Sequence, residues 1–402
     1  MRLRIFLCLL LAASCVSVQA DAALVTTYWV GFDLGLSLRF GGGLAVDKTG
    51  DIWFGARFDQ ATPRRAALCR LDPDKDRVTH YRLPTNIDEV GALAYDAPRN
   101  IIWFADTERH SLCKFQISGR RLTVYWLPVL SEDMPGIQSI DVDGYGRVFC
   151  ALHESDAIGV FDPTKPTVFT MYPVPQTDIE PYSLEVDPNG EYASFTSGPN
   201  TGGWLFGILD LTDPSAPEVY TTESTGGAFA STMCIRADET NGKLFMTALG
   251  ANALGVYDWN ADTLTAYSAC SDMSGMYGLD LENGSQVAWA GQFFNGSAAW
   301  IDTLAATGTN VPLIGSAAAV VEADEEDVPR PWVYQISPKV CPLEPSYFFI
   351  SPSDECDADE VEEYTWSPFS WPGAVAVKEG KYFSETWVAD IFEDAIVRII
   401  RW

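Results

Sequence analysis

The sequence predicts an all-β, seven-bladed propeller. Three observations predict it: a four-strand unit whose closing acid recurs every 44 to 51 residues, apolar alternation broken by Gly, Pro, Asn and Asp, and the absence of long helical periodicity. Four short strands and their turns fill a period of that size, so each repeat is one blade.

Blade one is the clearest copy. It reads Leu44-Ala-Val-Asp47, then Gly50-Asp-Ile-Trp-Phe54, then Leu68-Cys-Arg-Leu-Asp72, then Val78-Thr-His-Tyr-Arg-Leu-Pro84. Blade two keeps the register through Leu93-Ala-Tyr-Asp96, Ile102-Trp-Phe104, Leu112-Cys-Lys-Phe115 and Leu122-Thr-Val-Tyr-Trp-Leu-Pro128. Blade three runs from Ile140 to Pro175. Blades four, five and six open at Leu184-Glu-Val-Asp187, Ile235-Arg-Ala-Asp238 and Leu279-Asp-Leu-Glu282. The seventh begins at Val375-Ala-Val377 and ends after three strands, at Ala395 to Trp402. Its fourth strand is expected from the other terminus, because Val25-Thr-Thr-Tyr-Trp29 matches the fourth-strand pattern; such a closure hides two sheet edges.

Arg2 and Arg4, the apolar run Ile5 to Ala13, and the small residues Val18-Gln-Ala20 describe a signal peptide over 1–20, so a secreted, extracellular protein is expected. Residues 21–402 then form one propeller domain, expected to be a monomer. An acidic insert interrupts the repeat at about 315–371, as a poorly ordered loop, a lid or a calcium-binding loop. With 55 acidic against 26 basic residues, nucleic acid and anionic membranes are poor partners. Seven cysteines follow the leader, and Cys341 with Cys356 is the favoured disulfide. Asn283 and Asn295 open N-glycosylation sequons, which matter in a eukaryotic host.

The unit Asp-x-x-Gly-x-Ile-Trp-Phe, followed by Ile-Gly-x-x-Asp-Pro and Thr-x-Tyr-x-Leu-Pro, resembles the streptogramin lyase (virginiamycin B lyase-like) propellers, most strongly in the first three blades. The resemblance implies a carbon–oxygen lyase working by elimination. Members that open streptogramin lactones carry Pro-His-x-Ile at two late blade entrances; here those entrances read Met276-Tyr-Gly-Leu279 and Pro372-Gly-Ala-Val375, without histidine. Of the family's Trp-Phe-Thr-Glu carboxylate, Asp106 and Glu385 stand in blades two and seven, and Gly291 replaces it in blade six.

Loops entering the first strand and leaving the second gather on one face around the axis. Those positions hold Arg39, Arg57, Asp106, His110, His153, Tyr182, Tyr277, Gln292, Trp371 and Glu385. Elimination needs a base for the proton α to a carboxyl, a cation for the enolate-like charge and an acid for the leaving oxygen. His153 or His110 is the candidate base, Tyr182 the acid, and Arg57, Arg236, Tyr277 and Trp371 would hold a carbohydrate (uronate), lactone or other small-molecule substrate. His80, in an outer strand, is expected at the surface.

Two residues before each acid anchor stand Ala45, Ala94, Asp141, Glu185, Arg236, Asp280 and either Val375 or Ala376. Charges beside the axis must pair, reach water or hold an ion. Three readings stay open: Arg236 bridging Glu185 and Asp280, a Ca or Mg site from Asp141, Glu185 and Asp280, or Arg236 binding a substrate carboxylate. A non-catalytic ligand-binding propeller and a calcium-dependent lactonase-like hydrolase are the alternatives to the lyase.

Overall fold

The computed structural model describes residues 23–28, 38, 43–58, 65–106, 111–127, 137–174, 179–198, 204–213, 218–221, 231–251, 253–268, 275–282, 287–292, 297–303, 307–311, 332–335, 338–342, 346–350, 372–379, 384–390 and 395–401. Seven antiparallel sheets form a ring. In blades one to six four consecutive strands run from the axis outwards, beginning for instance with Leu44–Val46 in blade one and Leu184–Val186 in blade four. In the seventh sheet Pro372–Glu379 is innermost, followed by Ser384–Asp390 and Ala395–Arg401; Ala23–Tyr28 lies antiparallel on the last of these, Thr26 opposite Arg398.

The acid that marks each repeat closes the turn after the innermost strand. Asp143 accepts the N–H groups of Tyr145 and Arg147 at 3.0 and 2.8 Å, and Asp187 accepts those of Asn189, Glu191 and Tyr192. In blade one Asp47 also accepts Trp53 Nε1 at 2.9 Å, which satisfies the polar end of an otherwise buried ring. These turns pass through the left-handed region at Gly146 (φ +85°) and Gly190 (φ +61°), which explains the glycine three residues after the acid in blades one, three and four.

Second-strand aromatics fill the space between blades. Trp53, Trp103, Trp289 and Trp387 are all fully buried. Each faces the residue two before the acid anchor: Ala45 opposite Trp53, Ala94 opposite Trp103, Asp280 opposite Trp289 and Ala376 opposite Trp387. The register therefore assigns Ala376, not Val375, to the axial position of blade seven.

The segment marked in the sequence only as an acidic interruption contributes three strands. Trp332–Gln335 pairs with the outer strand of blade two, Pro338–Pro342 with that of blade one, and Ser346–Ile350 with Ala23–Tyr28 in blade seven. Three neighbouring blades thereby gain a fifth strand. This corrects the expectation for His80: Lys339 lies opposite it in the added strand, and its ring is 2% exposed and edge-on to Phe58.

Candidate active site

The innermost strands surround an axial cavity of about 400 Å³. Its charged wall comes from Asp141, Glu185, Arg236 and Asp280, on successive blades three to six. Arg236 Nη1 lies 3.5 Å from Glu185 Oε2 and its Nε 3.6 Å from Asp280 Oδ1. The guanidinium thus spans both acids, as the first of the three axial readings requires. These side chains keep a quarter to a third of their surface open to the cavity while protein encloses them laterally. Burial pushes the carboxyls of Asp141 and Asp280 above their ordinary range, against the opposing pull of hydrogen bonds and of Arg236. Burial likewise carries Glu185 to about 8. Burial alone would lower the guanidinium of Arg236, but Glu185 and Asp280 outweigh it and hold the charge in place.

The same acids join neighbouring inner strands, whose edge N–H groups would otherwise face the cavity unpaired. Asp141 accepts Val186 N–H of blade four at 2.9 Å, and Asp280 accepts Val377 N–H of blade seven at 2.7 Å. Glu185 takes the corresponding bond from Ala237. Two residues closer to the loop face, Ser139 and Ser183 accept Leu184 and Ile235 N–H at 3.3 and 3.4 Å. Among the described residues no three His, Cys, Asp or Glu side chains converge as metal ligands, and Asp141, Glu185 and Asp280 are engaged as described.

At the loop-face end of these strands lies a second group. His153 opens a one-turn 3-10 helix, His153–Ser155, directly after the second strand of blade three. Asp156 ends that turn in the left-handed region and accepts the N–H groups of Ile179 and Glu180 at 2.8 and 2.7 Å. The clamp sets Glu180 Oε2 3.5 Å from His153 Nε2, while His153 Nδ1 is buried without a hydrogen-bond partner. The imidazole meets the Tyr182 ring edge-on at 5.9 Å, and the Tyr182 and Tyr277 hydroxyls lie 2.5 Å apart. Burial raises the Tyr182 phenol to about 12 and pushes Tyr277 well above its ordinary value, so both stay protonated at neutral pH.

Two threonines position the tyrosines. Thr196 accepts Ser183 N–H at 3.1 Å and donates to the Met233 carbonyl at 2.7 Å. One blade on, Thr247 accepts Cys234 N–H at 3.1 Å and donates to the Tyr277 carbonyl. Cys234, a free thiol, packs on the tyrosine pair and lines the axial cavity, linking the two groups. Glu180, Thr196 and Thr247 were not singled out from sequence. A threonine two residues after the axial-facing residue of a second strand, as in Ser194-Phe-Thr196 and Phe245-Met-Thr247, is the signal that could have found the latter two.

The other candidates sit apart from this group or beyond the described residues. Arg57 is half-buried opposite Ala66 in blade one. Asp106 is buried and holds Asp88 and Glu89 N–H, and Glu385 is buried in an ion pair with Arg398. Gln292 is also buried. Arg39, His110, Trp371, the leader at 1–20, Asn283, Asn295 and Cys356 lie outside the described residues. Cys69, Cys113 and Cys150 are buried, the latter two as free thiols.

Comparison with known proteins bears on this geometry. The family SMP-30/Gluconolactonase/LRE-like region matches residues 12–181. No curated protein matches the chain in sequence. Among solved structures, a streptogramin B lyase superposes with a TM-score of 0.61 at 14% identity, covering 94% of this chain and 97% of the other. Virginiamycin B lyase from Staphylococcus aureus gives 0.61 at 12%, covering 94% and 98%. A catalytically inactive histidine-to-alanine variant of that lyase with quinupristin gives 0.61 at 12%, covering 96% of each chain. At such identities the likeness carries the fold, a seven-bladed propeller of the streptogramin lyase type.

Proposed function

Starting from that shared fold, we propose that this chain is a carbon–oxygen lyase acting by β-elimination on a uronate-bearing carbohydrate or a lactone. The observation that carries the reading is the His153 imidazole, set between the Glu180 carboxylate and the Tyr182 ring. His153 takes the proton from the carbon α to the carbonyl; the C–H electrons form the new double bond, and the β C–O bond breaks with its electron pair on oxygen. Tyr182 gives its proton to that oxygen and regains one from the adjacent imidazolium. Glu180 stabilises the imidazolium between those steps. Tyr182 suits the donor role because its raised pKa keeps it neutral throughout the physiological range. Arg236, in the cavity that Cys234 joins to the tyrosine pair, is the cation offered to the substrate's carboxyl or carbonyl, and Tyr277 fixes Tyr182 until substrate takes its place. The leader-like residues 1–20 support secretion, with the activity outside the cell.

The test is incubation with uronate polysaccharides and lactone peptides, following the ultraviolet absorbance of a newly conjugated double bond and the product masses. Elimination adds no water. His153→Ala, with an unchanged circular dichroism spectrum, is expected to lower kcat by about 10²–10⁴-fold. Full activity in that variant, or products that have gained one water, would refute elimination at His153. The SMP-30/gluconolactonase-like region at 12–181 favours a second reading, lactone hydrolysis, and water-bearing products lost on chelation would select it.

A further inference from the structure

On the face opposite His153, we infer that the cleft between blades four and five is a binding site for an organic ammonium ion. The cleft encloses about 510 Å³, within the range of small-molecule sites. Its mouth carries Tyr192, 48% exposed, and Trp259, 39% exposed. Only four large hydrophobic side chains are exposed among the described residues, and two of them meet here. A lone exposed aromatic is ordinary, but two flanking one cavity mark a recognition surface.

The chemistry of the lining selects the ligand. Asp187 and Glu239 supply carboxylates, Glu185 adds an acceptor shared with the axial cavity, Leu244 supplies part of an apolar floor, and no Lys, Arg or His lines the cleft. The carboxyl of Glu239 is held above its ordinary range first by burial and then by Asp187 and Asp141, so a cation arriving here relieves repulsion already present. Aromatic faces attract cations through their quadrupole, most strongly when water is excluded. A bare divalent metal would want six or more oxygen ligands, whereas this lining mixes carboxylates with apolar side chains and aromatic rings. Alkylated ammonium matches both halves of the lining.

The aromatic walls are built on turns that hold them in place. Tyr192 N–H donates to Asp187 Oδ1 at 2.7 Å. Trp259 N–H donates to the Gly242 carbonyl at 3.1 Å, and the indole folds so closely over that turn that a Cβ on Gly242 (φ +72°) would stand 3.3 Å from Nε1. Glu185 lines both this cleft and the axial cavity, so the site shares a wall with the channel. It does not depend on the lyase reading.

Calorimetric titration of the full chain with choline, and with its neutral isostere 3,3-dimethylbutanol, tests the assignment. One saturable site for choline is expected, with the neutral compound at least about tenfold weaker, as a desolvated cation–π and carboxylate contact implies. Trp259→Leu and Glu239→Gln should each weaken choline by about tenfold or more. Tyr192→Leu, at the more exposed wall, reads the same loss should Trp259→Leu fail to fold. The assignment is overturned by no saturable choline binding at millimolar concentration, by equal affinity for the neutral isostere, by unchanged affinity in the variants, or by equimolar calcium displacing choline.

Discussion

Replacing Glu185 by glutamine removes one titrating group from the axial cavity while keeping an oxygen to accept the Ala237 N–H. Burial is the main reason this carboxyl titrates at about 8 in place of 4.5; Asp141 and Asp280 add to it, and Arg236 opposes it. Between those two values the folded protein keeps a proton that the unfolded chain has released. Stability from this group is therefore fully present below about pH 4.5 and lost as pH rises towards 8. Each pH unit costs about 1.4 kcal/mol, so the window has a ceiling of about 5 kcal/mol. Water reaches a quarter of the side chain and Arg236 stands beside it, which reduces the expected loss to about 2–3 kcal/mol. Urea unfolding of wild type and Glu185→Gln across this window measures it. The wild type should lose about 2–3 kcal/mol relative to the variant from low to high pH. Superimposable pH profiles would refute the assignment of a neutral Glu185 in the channel.

Three further outcomes follow from contacts described above. Thr247→Val leaves the Cys234 N–H and the Tyr277 carbonyl without their shared hydroxyl, at a cost of about 2–3 kcal/mol in chemical denaturation, and Thr247→Ser should restore most of it. Gly55→Ala sets a Cβ 2.5 Å from the Val90 carbonyl oxygen and 2.8 Å from its Cβ, across a blade interface; thermal unfolding should report about 1–3 kcal/mol of overpacking. Deleting residues 315–371 uncovers the outer strands of blades one and two, so amide exchange across Arg77–Arg82 should accelerate and light scattering should detect self-association.

Blade number and blade boundaries are legible in the sequence because they rest on local chemistry. An acid closes a turn, a glycine carries positive φ, and a Trp two strands from the surface fills the gap between sheets; each lies within a few residues of its partner. The axial charges were equally visible, since an inner strand alternates in a fixed register. Their partners were not. Arg236 reaches Glu185 and Asp280 across blades 51 and 44 residues away in sequence, and only the curvature of the ring decides which of them it meets.

His80 shows the limit most directly. Its fourth-strand position reads as surface, and a strand from some 260 residues further along the chain covers it. The candidate site divides in the same way. His153 and Tyr182 are recoverable from loop positions, whereas Glu180 enters through a clamp by Asp156, and Tyr277 reaches Tyr182 over the intervening blade-five entrance. Sequence by itself determined the repeat, its seven-fold count and the residue types turned to the axis, because hydrogen-bonded turns and strand alternation are short-range. The tertiary structure alone decided which charges pair, which edges are covered and which side chains share a pocket, because those contacts depend on how seven sheets pack around one axis.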